Sequence, residues 1–136
     1  MSLHTHPTQP PISILLADDT DLIRQTLRSM LEPLPAVTLA GEAADGESAV
    51  KMALDLQPDI VVMDIQMPKL DGIEATRRIM QALPRTSIIG FSVQTDATIH
   101  RAMHEAGAIT FLEKERATEL PQIIHTLAGR RQLGNE

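Results

Sequence analysis

The sequence has no cysteine, no tryptophan and no tyrosine, and only two phenylalanines among its 136 residues. Without cysteine the chain can form neither a disulfide nor a thiolate metal site, which fits a reducing compartment. Aromatic residues make up 1% of the chain and hydrophobic residues 43%, so the core must be aliphatic. No apolar run approaches membrane-spanning length and no signal peptide is visible. We therefore expect a soluble, cytoplasmic protein.

Basic charge is also scarce, because 12 lysines and arginines face 18 acidic residues, for a net charge of −6. This balance argues against nucleic-acid binding by the domain itself, and no segment indicates membrane binding. The length fits one domain with a substantial core. We assign that domain to residues 12–129, a flexible tail to residues 1–11 with a candidate expression leader at 1–3, and a tail or linker to residues 130–136.

Short apolar runs alternate along the chain with segments whose apolar residues recur at helical spacing. The run Ile60–Met63 is continuous and largely β-branched, which is typical of a strand buried on both faces in a parallel sheet. The other such runs are Ile12–Ala17, Val37–Glu42, Ser87–Phe91 and Ile109–Leu112. Residues such as Ile23, Leu27 and Leu31 predict amphipathic helices between them. Five β–α units predict an α/β domain whose parallel sheet is covered by helices on both faces.

Polar side chains follow four of the predicted strands. Asp18 and Asp19 follow the first, Asp64 the third, Ser92 the fourth and Lys114 the fifth. Because the carboxyl ends of parallel strands meet at one edge of a sheet, we expect these residues to be neighbours. Three carboxylates would repel one another there unless a hard cation such as Mg²⁺ joined them. With a lysine and a hydroxyl to bind an oxyanion, the set suits phosphoryl transfer onto an aspartate.

The sequence resembles response-regulator receiver domains of two-component signalling over residues 12–128. Besides the polar residues above, the resemblance is carried by the segments Met63–Pro68, Leu70–Gly72 and Gly107–Lys114. The segment Asp71–Ile79 is most like the subclass found with LuxR-type DNA-binding outputs or in hybrid histidine kinases. The resemblance implies a single doubly wound (βα)5, flavodoxin-like domain with strand order 2-1-3-4-5.

The resemblance also implies which residue is phosphorylated and which residues hold a metal. Asp64 would accept a phosphoryl group from a sensor histidine kinase or a histidine phosphotransfer protein. Asp18, Asp19, Asp64 and the backbone carbonyl of Gln66 would bind Mg²⁺, with Asp18 acting partly through water.

Two further groups of roles come from the same resemblance. Lys114 and Ser92 would bind the phosphoryl group. Ser92 and Phe111 would then act as a switch that changes the surface formed by the fourth helix, fifth strand and fifth helix. The resemblance leaves open a homodimer through that surface. It implies no turnover of a separate substrate, only phosphotransfer and dephosphorylation of the domain itself.

Several positions depart from the family's pattern or are expected to modulate it. Glu115 stands where many relatives have a proline in a cis peptide, so the sequence leaves the geometry of that peptide open. Val93 stands where relatives often have a smaller residue, and Phe111 where many have tyrosine. Gln66 and Gln94 occupy positions that tune the lifetime of the aspartyl phosphate in the family, and we expect them, with Val93, to tune it here.

Other functions fit the residues less well. A phosphohydrolase with an aspartate nucleophile wants a second acid two residues later, where this chain has Gln66. A flavodoxin-like nucleotide carrier is disfavoured because the acidic segment Ala17–Asp21 would repel phosphate, and no glycine-rich loop of a nucleoside triphosphatase is present. A phosphorylation-independent interaction module remains an alternative. His100 and His104 have the spacing to share a metal, but a solvated helix face is the commoner origin of such a pair.

The last residues of the sequence indicate whether the receiver stands alone or is part of a longer protein. No helix-turn-helix follows the fifth predicted helix, and the segment Gly129–Gly134 resembles a linker. We expect a receiver taken from a longer regulator or hybrid kinase in preference to a stand-alone one.

Overall fold

The computed structural model describes residues 10–93 and 96–134. Its five strands form one parallel sheet in the order β2-β1-β3-β4-β5. The strands are β1 (Ile12–Ala17), β2 (Val37–Ala43), β3 (Ile60–Asp64), β4 (Ser87–Ser92) and β5 (Thr110–Glu113). The helices are α1 (Asp21–Leu31), α2 (Gly46–Leu56), α3 (Gly72–Ala82), α4 (Ala97–Ala106) and α5 (Leu120–Gly134), the last preceded by a 3-10 helix, Lys114–Glu119. The predicted fold class and strand order are confirmed.

The core lies in two aliphatic layers, one on each face of the sheet. Successive residues of a strand point to opposite faces, so Val61 and Met63 pack with the layer under α2, α3 and α4. Ile60 and Val62 pack with the layer under α1 and α5. Because both faces are covered, every residue of β3 is buried. The rigid strand therefore carries its last residue, Asp64, to a fixed place at the edge of the sheet.

Several boundaries differ from the sequence-based expectation by a residue or more. β3 includes Asp64, and β5 begins at Thr110, one residue later than expected. The predicted stop at Gly107 is confirmed, since this residue caps α4 with a φ of 117°, which favours glycine. At the end of the chain, α5 continues to Gly134, into the segment 130–136 that we assigned to a tail or linker. Most of the predicted N-terminal tail lies outside the described residues.

Close backbone approaches at two glycines hold the loops beside the site. A Cβ on Gly72 would overlap the carbonyl of Asp64, and one on Gly46 would overlap that of Leu70. The amide of Gly72 also donates a hydrogen bond of 2.8 Å to the carbonyl of Ile65. This bond closes the loop between β3 and α3 directly behind Asp64.

The substitution Gly72→Ala is expected to lower the free energy of unfolding by about 3 kcal/mol, because the added methyl group forces backbone atoms apart. The matched control is Gly129→Ala, where a Cβ meets nothing within 4 Å. In the middle of α5 that change should stabilise the protein by about 0.5–1 kcal/mol. Urea unfolding measures both, and equal effects of the two substitutions would contradict the close approach at Gly72.

Within the described part of the chain, no helix is both long enough and apolar enough to cross a membrane.

Candidate acidic site at the carboxyl edge of the sheet

Three carboxylates converge at the carboxyl ends of β1 and β3. These strands are neighbours, with Ala17 paired to Met63, so Asp18 and Asp64 come next to each other at the sheet edge. Asp18 is 1% exposed and Asp64 3%, whereas Asp19 is open to solvent. One oxygen from each of the three lies within 4.8 Å of the others. The neighbourhood predicted from the ends of the strands is therefore present.

Lys114 supplies positive charge to this cluster from the first residue after β5. Its Nζ lies 2.8 Å from Asp18 Oδ2 and 3.4 Å from Asp64 Oδ1. It also lies 5.8 Å from the ring centroid of Phe91, within cation–π range. Burial disfavours the charged amine, but Asp18 and Asp64 outweigh this and raise the pKa of Lys114. The lysine is therefore held as a cation against the two buried acids.

The electrostatic environment of Asp64 opposes its ionisation. Burial first, and then the charge of Asp18, raise the pKa of Asp64 to about 6, although Lys114 pulls in the other direction. Asp19 adds a smaller repulsion. One ammonium thus faces three carboxylates, and the site carries more negative charge than its own cation neutralises.

The donor atoms at this edge fit a hard divalent cation. Mg²⁺ prefers carboxylate, carbonyl and water oxygens, and Asp18, Asp19 and Asp64 offer only oxygen. Asp18 Oδ2 is buried, and its one close described neighbour is the Lys114 ammonium at 2.8 Å. Among the described residues these three acids are the one group of potential metal ligands of this size. A bound cation would relieve the repulsion that raises the pKa of Asp64.

The loop after Asp64 carries the fourth predicted ligand. Gln66 is exposed, two residues beyond Asp64, in a loop fixed by hydrogen bonds from Gly72 to Ile65 and from Gly46 to the carbonyl of Pro68. Lys69 in this loop has a φ of 72°, a left-handed conformation that is uncommon outside glycine. Coordination by the carbonyl of Gln66 stays a prediction.

The predicted phosphoryl-binding serine is next to the cluster. Ser92 ends β4, is buried, and follows Phe91, which is paired with Asp64 across the sheet. Val93, after it, is 69% exposed. Gln94 lies outside the described residues. The tuning roles of Gln66, Val93 and Gln94 stay predictions.

The predicted switch residue Phe111 is half buried and packs against His100, with ring centroids 3.9 Å apart. We expected His100 and His104 on a solvated face. His104 is exposed, but this expectation is wrong for His100, because the ring stack on Phe111 covers it and its Nε2 is buried. Behind Phe111, a Cβ on Gly90 would lie 2.8 Å from its ring, so glycine is required there.

Two parts of the site were not identified from the sequence. Arg24 donates a hydrogen bond of 2.6 Å to the carbonyl of Asp18, and Phe91 lies under the Lys114 ammonium. Some contacts do leave a signal in the sequence: a glycine inside a strand, such as Gly90, indicates that a neighbouring group approaches closely, and here that group is the ring of Phe111. Neither Arg24 nor Phe91 has such a signal, since an arginine on a helix and a phenylalanine in a strand are ordinary. The peptide after Lys114, whose geometry the sequence left open, is trans, as the described residues contain no cis peptide bond.

The sheet is doubly wound, and its acidic cluster lies where the neighbouring strands β1 and β3 end. Domains of this α/β class bind ligands at that topological switch point. The family model of the response regulator receiver domain matches residues 14–125. The chain belongs to this family, and the predicted resemblance is confirmed.

Relatives place the chain among receivers with different outputs. It is 42% identical over 112 residues to a protein-glutamate methylesterase/protein-glutamine glutaminase of Myxococcus xanthus, covering 82% of this chain and 32% of that protein. It is 38% identical over 114 residues to the transcriptional regulatory protein LiaR of Bacillus subtilis, covering 83% and 54%. A crystal structure of a LuxR-family response regulator from Aurantimonas superimposes with a TM-score of 0.81 at 36% identity, covering 88% of this chain and 86% of that one. The chain thus spans only part of the length of the two curated relatives.

Proposed function

We propose that this chain is the phosphoacceptor domain of a two-component system, and that Asp64 receives the phosphoryl group. The observation that carries the proposal is the position of Asp64, buried at the end of β3 with Asp18, Asp19 and Lys114 around it. The donor is the phosphohistidine of a sensor histidine kinase or of a histidine phosphotransfer protein. A carboxylate oxygen of Asp64 forms the new bond to phosphorus as the bond from phosphorus to the donor nitrogen breaks.

Asp18, Asp19, Asp64 and the carbonyl of Gln66 are the proposed ligands of Mg²⁺. When bound, the cation neutralises charge on the phosphoryl oxygens. Asp18 and Asp19 would hold the cation beside Asp64, and its positive charge would lower the pKa of Asp64 from about 6 and so favour the ionised nucleophile. The burial of Asp64 and Asp18 also limits water access to the carboxylate that reacts.

Lys114 and Ser92 are the proposed partners of the phosphoryl group. The Lys114 ammonium now bridges Asp18 and Asp64, and it is positioned to follow negative charge as this moves onto a phosphoryl oxygen. The Ser92 hydroxyl would donate a hydrogen bond to the same group. Its movement, with that of Phe111, is the proposed link to the surface formed by α4, β5 and α5.

The remaining assignments follow from this function. The receiver occupies residues 12–129, acts in the cytoplasm, and performs only self-directed phosphotransfer and dephosphorylation. Gln66, Val93 and Gln94 set how long the phosphoryl group stays on Asp64. A homodimer through the α4–β5–α5 surface is one output this domain could drive; DNA binding and membrane binding are not assigned to it.

Beryllium fluoride, which mimics a phosphoryl group on a carboxylate, tests the proposal. Wild-type protein should give a new set of amide resonances in ¹H–¹⁵N spectra only when beryllium fluoride and Mg²⁺ are both present. Asp64→Asn should give none, and the exposed acid Asp55 supplies a matched control, since Asp55→Asn should respond like wild type. An unchanged wild-type spectrum, or a normal response of Asp64→Asn, would overturn the proposal.

A further inference from the structure

The acidic loop between β1 and α1 is held by an arginine, Arg24, that lies outside the predicted site. The Arg24 side chain, on α1, is 14% exposed. Its Nη1 donates a hydrogen bond of 2.6 Å to the carbonyl of Asp18. Its Nε donates to Glu42 on β2 at 3.2 Å, and its Nη2 contacts Asp21. One guanidinium therefore joins the loop, the start of the helix and the neighbouring strand.

The bond to the Asp18 carbonyl matters because that carbonyl and the amide of Asp19 belong to one planar peptide unit. Fixing the direction of the carbonyl fixes the plane from which Asp19 departs. The Asp19 side chain is itself solvent-exposed, and it accepts a long hydrogen bond of 3.5 Å from Thr20. The direction of this carboxylate therefore depends on the backbone that precedes it.

The other polar atoms of Asp18 are anchored separately. Its amide donates to the carbonyl of Ala43 at 3.0 Å, its Oδ1 accepts from the amide of Thr20 at 2.9 Å, and its Oδ2 faces Lys114. The carbonyl is the remaining backbone group, and Arg24 is its partner. Without Arg24 the peptide between the two acids could rotate while Asp18 itself stayed in place.

We propose that Arg24 is a positioning residue that orients the Asp18–Asp19 peptide, so that Asp19 faces the divalent cation of the acidic site. This inference rests on the proposed function, because it assumes that the site binds Mg²⁺. Arg24 does not touch the carboxylates of Asp18 or Asp64 in the described contacts. It acts through the backbone.

The charge of Arg24 and its hydrogen bond to the Asp18 carbonyl predict opposite changes in Mg²⁺ affinity when Arg24 is replaced. An arginine near a cation site repels the cation, so losing its charge alone would tighten Mg²⁺ binding. Its charge is largely balanced by Asp21 and Glu42, which weakens this effect. If Arg24 positions Asp19, the substitution Arg24→Met instead loosens Mg²⁺ binding. The sign of the change therefore separates the two roles.

Arg28 offers a matched control on the next turn of α1. It contacts the same acid, Glu42, with Nε at 2.7 Å and Nη2 at 2.9 Å, but it makes no described contact to the acidic loop. Arg28→Met removes the same charge from the same helix and leaves the Asp18 carbonyl bonded. Glu42→Gln weakens the support of Arg24 without removing it.

The test is a titration of the full chain with Mg²⁺. Calorimetry measures the dissociation constant, and NMR spectra record the amide chemical shifts. We expect Arg24→Met to raise the dissociation constant about tenfold, as for other outer partners of metal ligands, and Arg28→Met to change it less than twofold. Glu42→Gln should give an intermediate value. Before metal is added, the Asp19 amide resonance should move in Arg24→Met and stay in place in Arg28→Met.

Failure of this inference is distinguishable from failure of the proposed function. If wild-type protein binds no Mg²⁺, the proposed function fails and the inference fails with it. If wild type binds Mg²⁺ and Arg24→Met binds equally well or more tightly, only the inference is overturned. Should Arg24→Met not fold, Arg24→Lys carries the test, because lysine keeps the charge but cannot reach Asp18, Asp21 and Glu42 together. An unchanged affinity in that variant would also overturn the inference.

Discussion

Replacing Asp64 with asparagine is expected to make the metal-free protein more stable at pH 7, by about 1–3 kcal/mol. The physical reason is that folding buries the Asp64 carboxylate beside Asp18, so its pKa rises to about 6. An ordinary aspartate titrates near 4. Asparagine has a similar shape and no charge, so it avoids this cost. The attraction of Lys114 already offsets part of this cost, and the raised pKa of Asp64 reports the cost that remains.

The pH dependence gives this prediction a sign that can be checked. Because the folded pKa of Asp64 is raised, the folded state holds a proton more tightly than the unfolded state does. The resulting stabilisation is fully present below about pH 4 and is lost as the pH rises towards about 6. The free energy of unfolding of wild type should therefore fall relative to Asp64→Asn across that window. Urea unfolding in the presence of EDTA at a series of pH values measures the difference.

Mg²⁺ should reverse the order of the two proteins. A ligand that binds only the folded state stabilises it in proportion to the logarithm of its concentration over its dissociation constant. Wild type should gain stability with Mg²⁺, and Asp64→Asn, which lacks one carboxylate, should gain less. Asp55→Asn is the control for the loss of one exposed acid and should follow wild type throughout. If Asp64→Asn were no more stable than wild type without metal, this would contradict the claim that ionised Asp64 destabilises the folded protein.

The second large effect is expected at Lys114. Replacing it with methionine leaves Asp18 and Asp64 buried without their cation, and breaking a buried pair in this way should cost about 2–4 kcal/mol. The exposed Lys51 on α2 gives the matched control, since Lys51→Met should stay within about 0.5 kcal/mol of wild type. Urea unfolding at pH 7 in EDTA measures both.

A double substitution shows whether the loss at Lys114 arises from the unpaired acids. Adding Asp18→Asn to Lys114→Met removes one of the carboxylates that the lysine balanced, so part of the lost stability should return. The coupling between the two substitutions should exceed about 1 kcal/mol. Mg²⁺ should also recover part of the loss, because it brings positive charge to the same oxygens. Additive effects of the two substitutions would contradict a direct electrostatic link.

The sheet and the central acid were predictable because each depends on a local pattern. The continuous run Ile60–Met63 indicates a strand covered on both faces, and β3 is buried throughout. The rule that parallel strands end at one edge then brings Asp18, Asp64 and Lys114 together. Distances of 2.8 and 3.4 Å from the lysine to these acids agree with that expectation.

The parts that sequence reasoning missed depend on contacts between elements that no local pattern encodes. Arg24 reaches the Asp18 carbonyl because α1 begins three residues after Asp18 and runs beside β2. His100 is covered because the ring of Phe111 from β5 lies on it, although spacing along α4 alone suggested a solvated position. The extension of α5 to Gly134 was hidden by a glycine and polar residues that resemble a linker.

The central claim is that Asp64 is the phosphoacceptor, and the most direct measurement is the intact mass of the protein after incubation with acetyl phosphate and Mg²⁺. Wild type and Asp55→Asn should each gain the mass of one phosphoryl group, and EDTA should abolish the gain. Asp64→Asn should gain none. A wild-type protein that gains no mass, or an Asp64→Asn protein that gains as much as wild type, would contradict the claim.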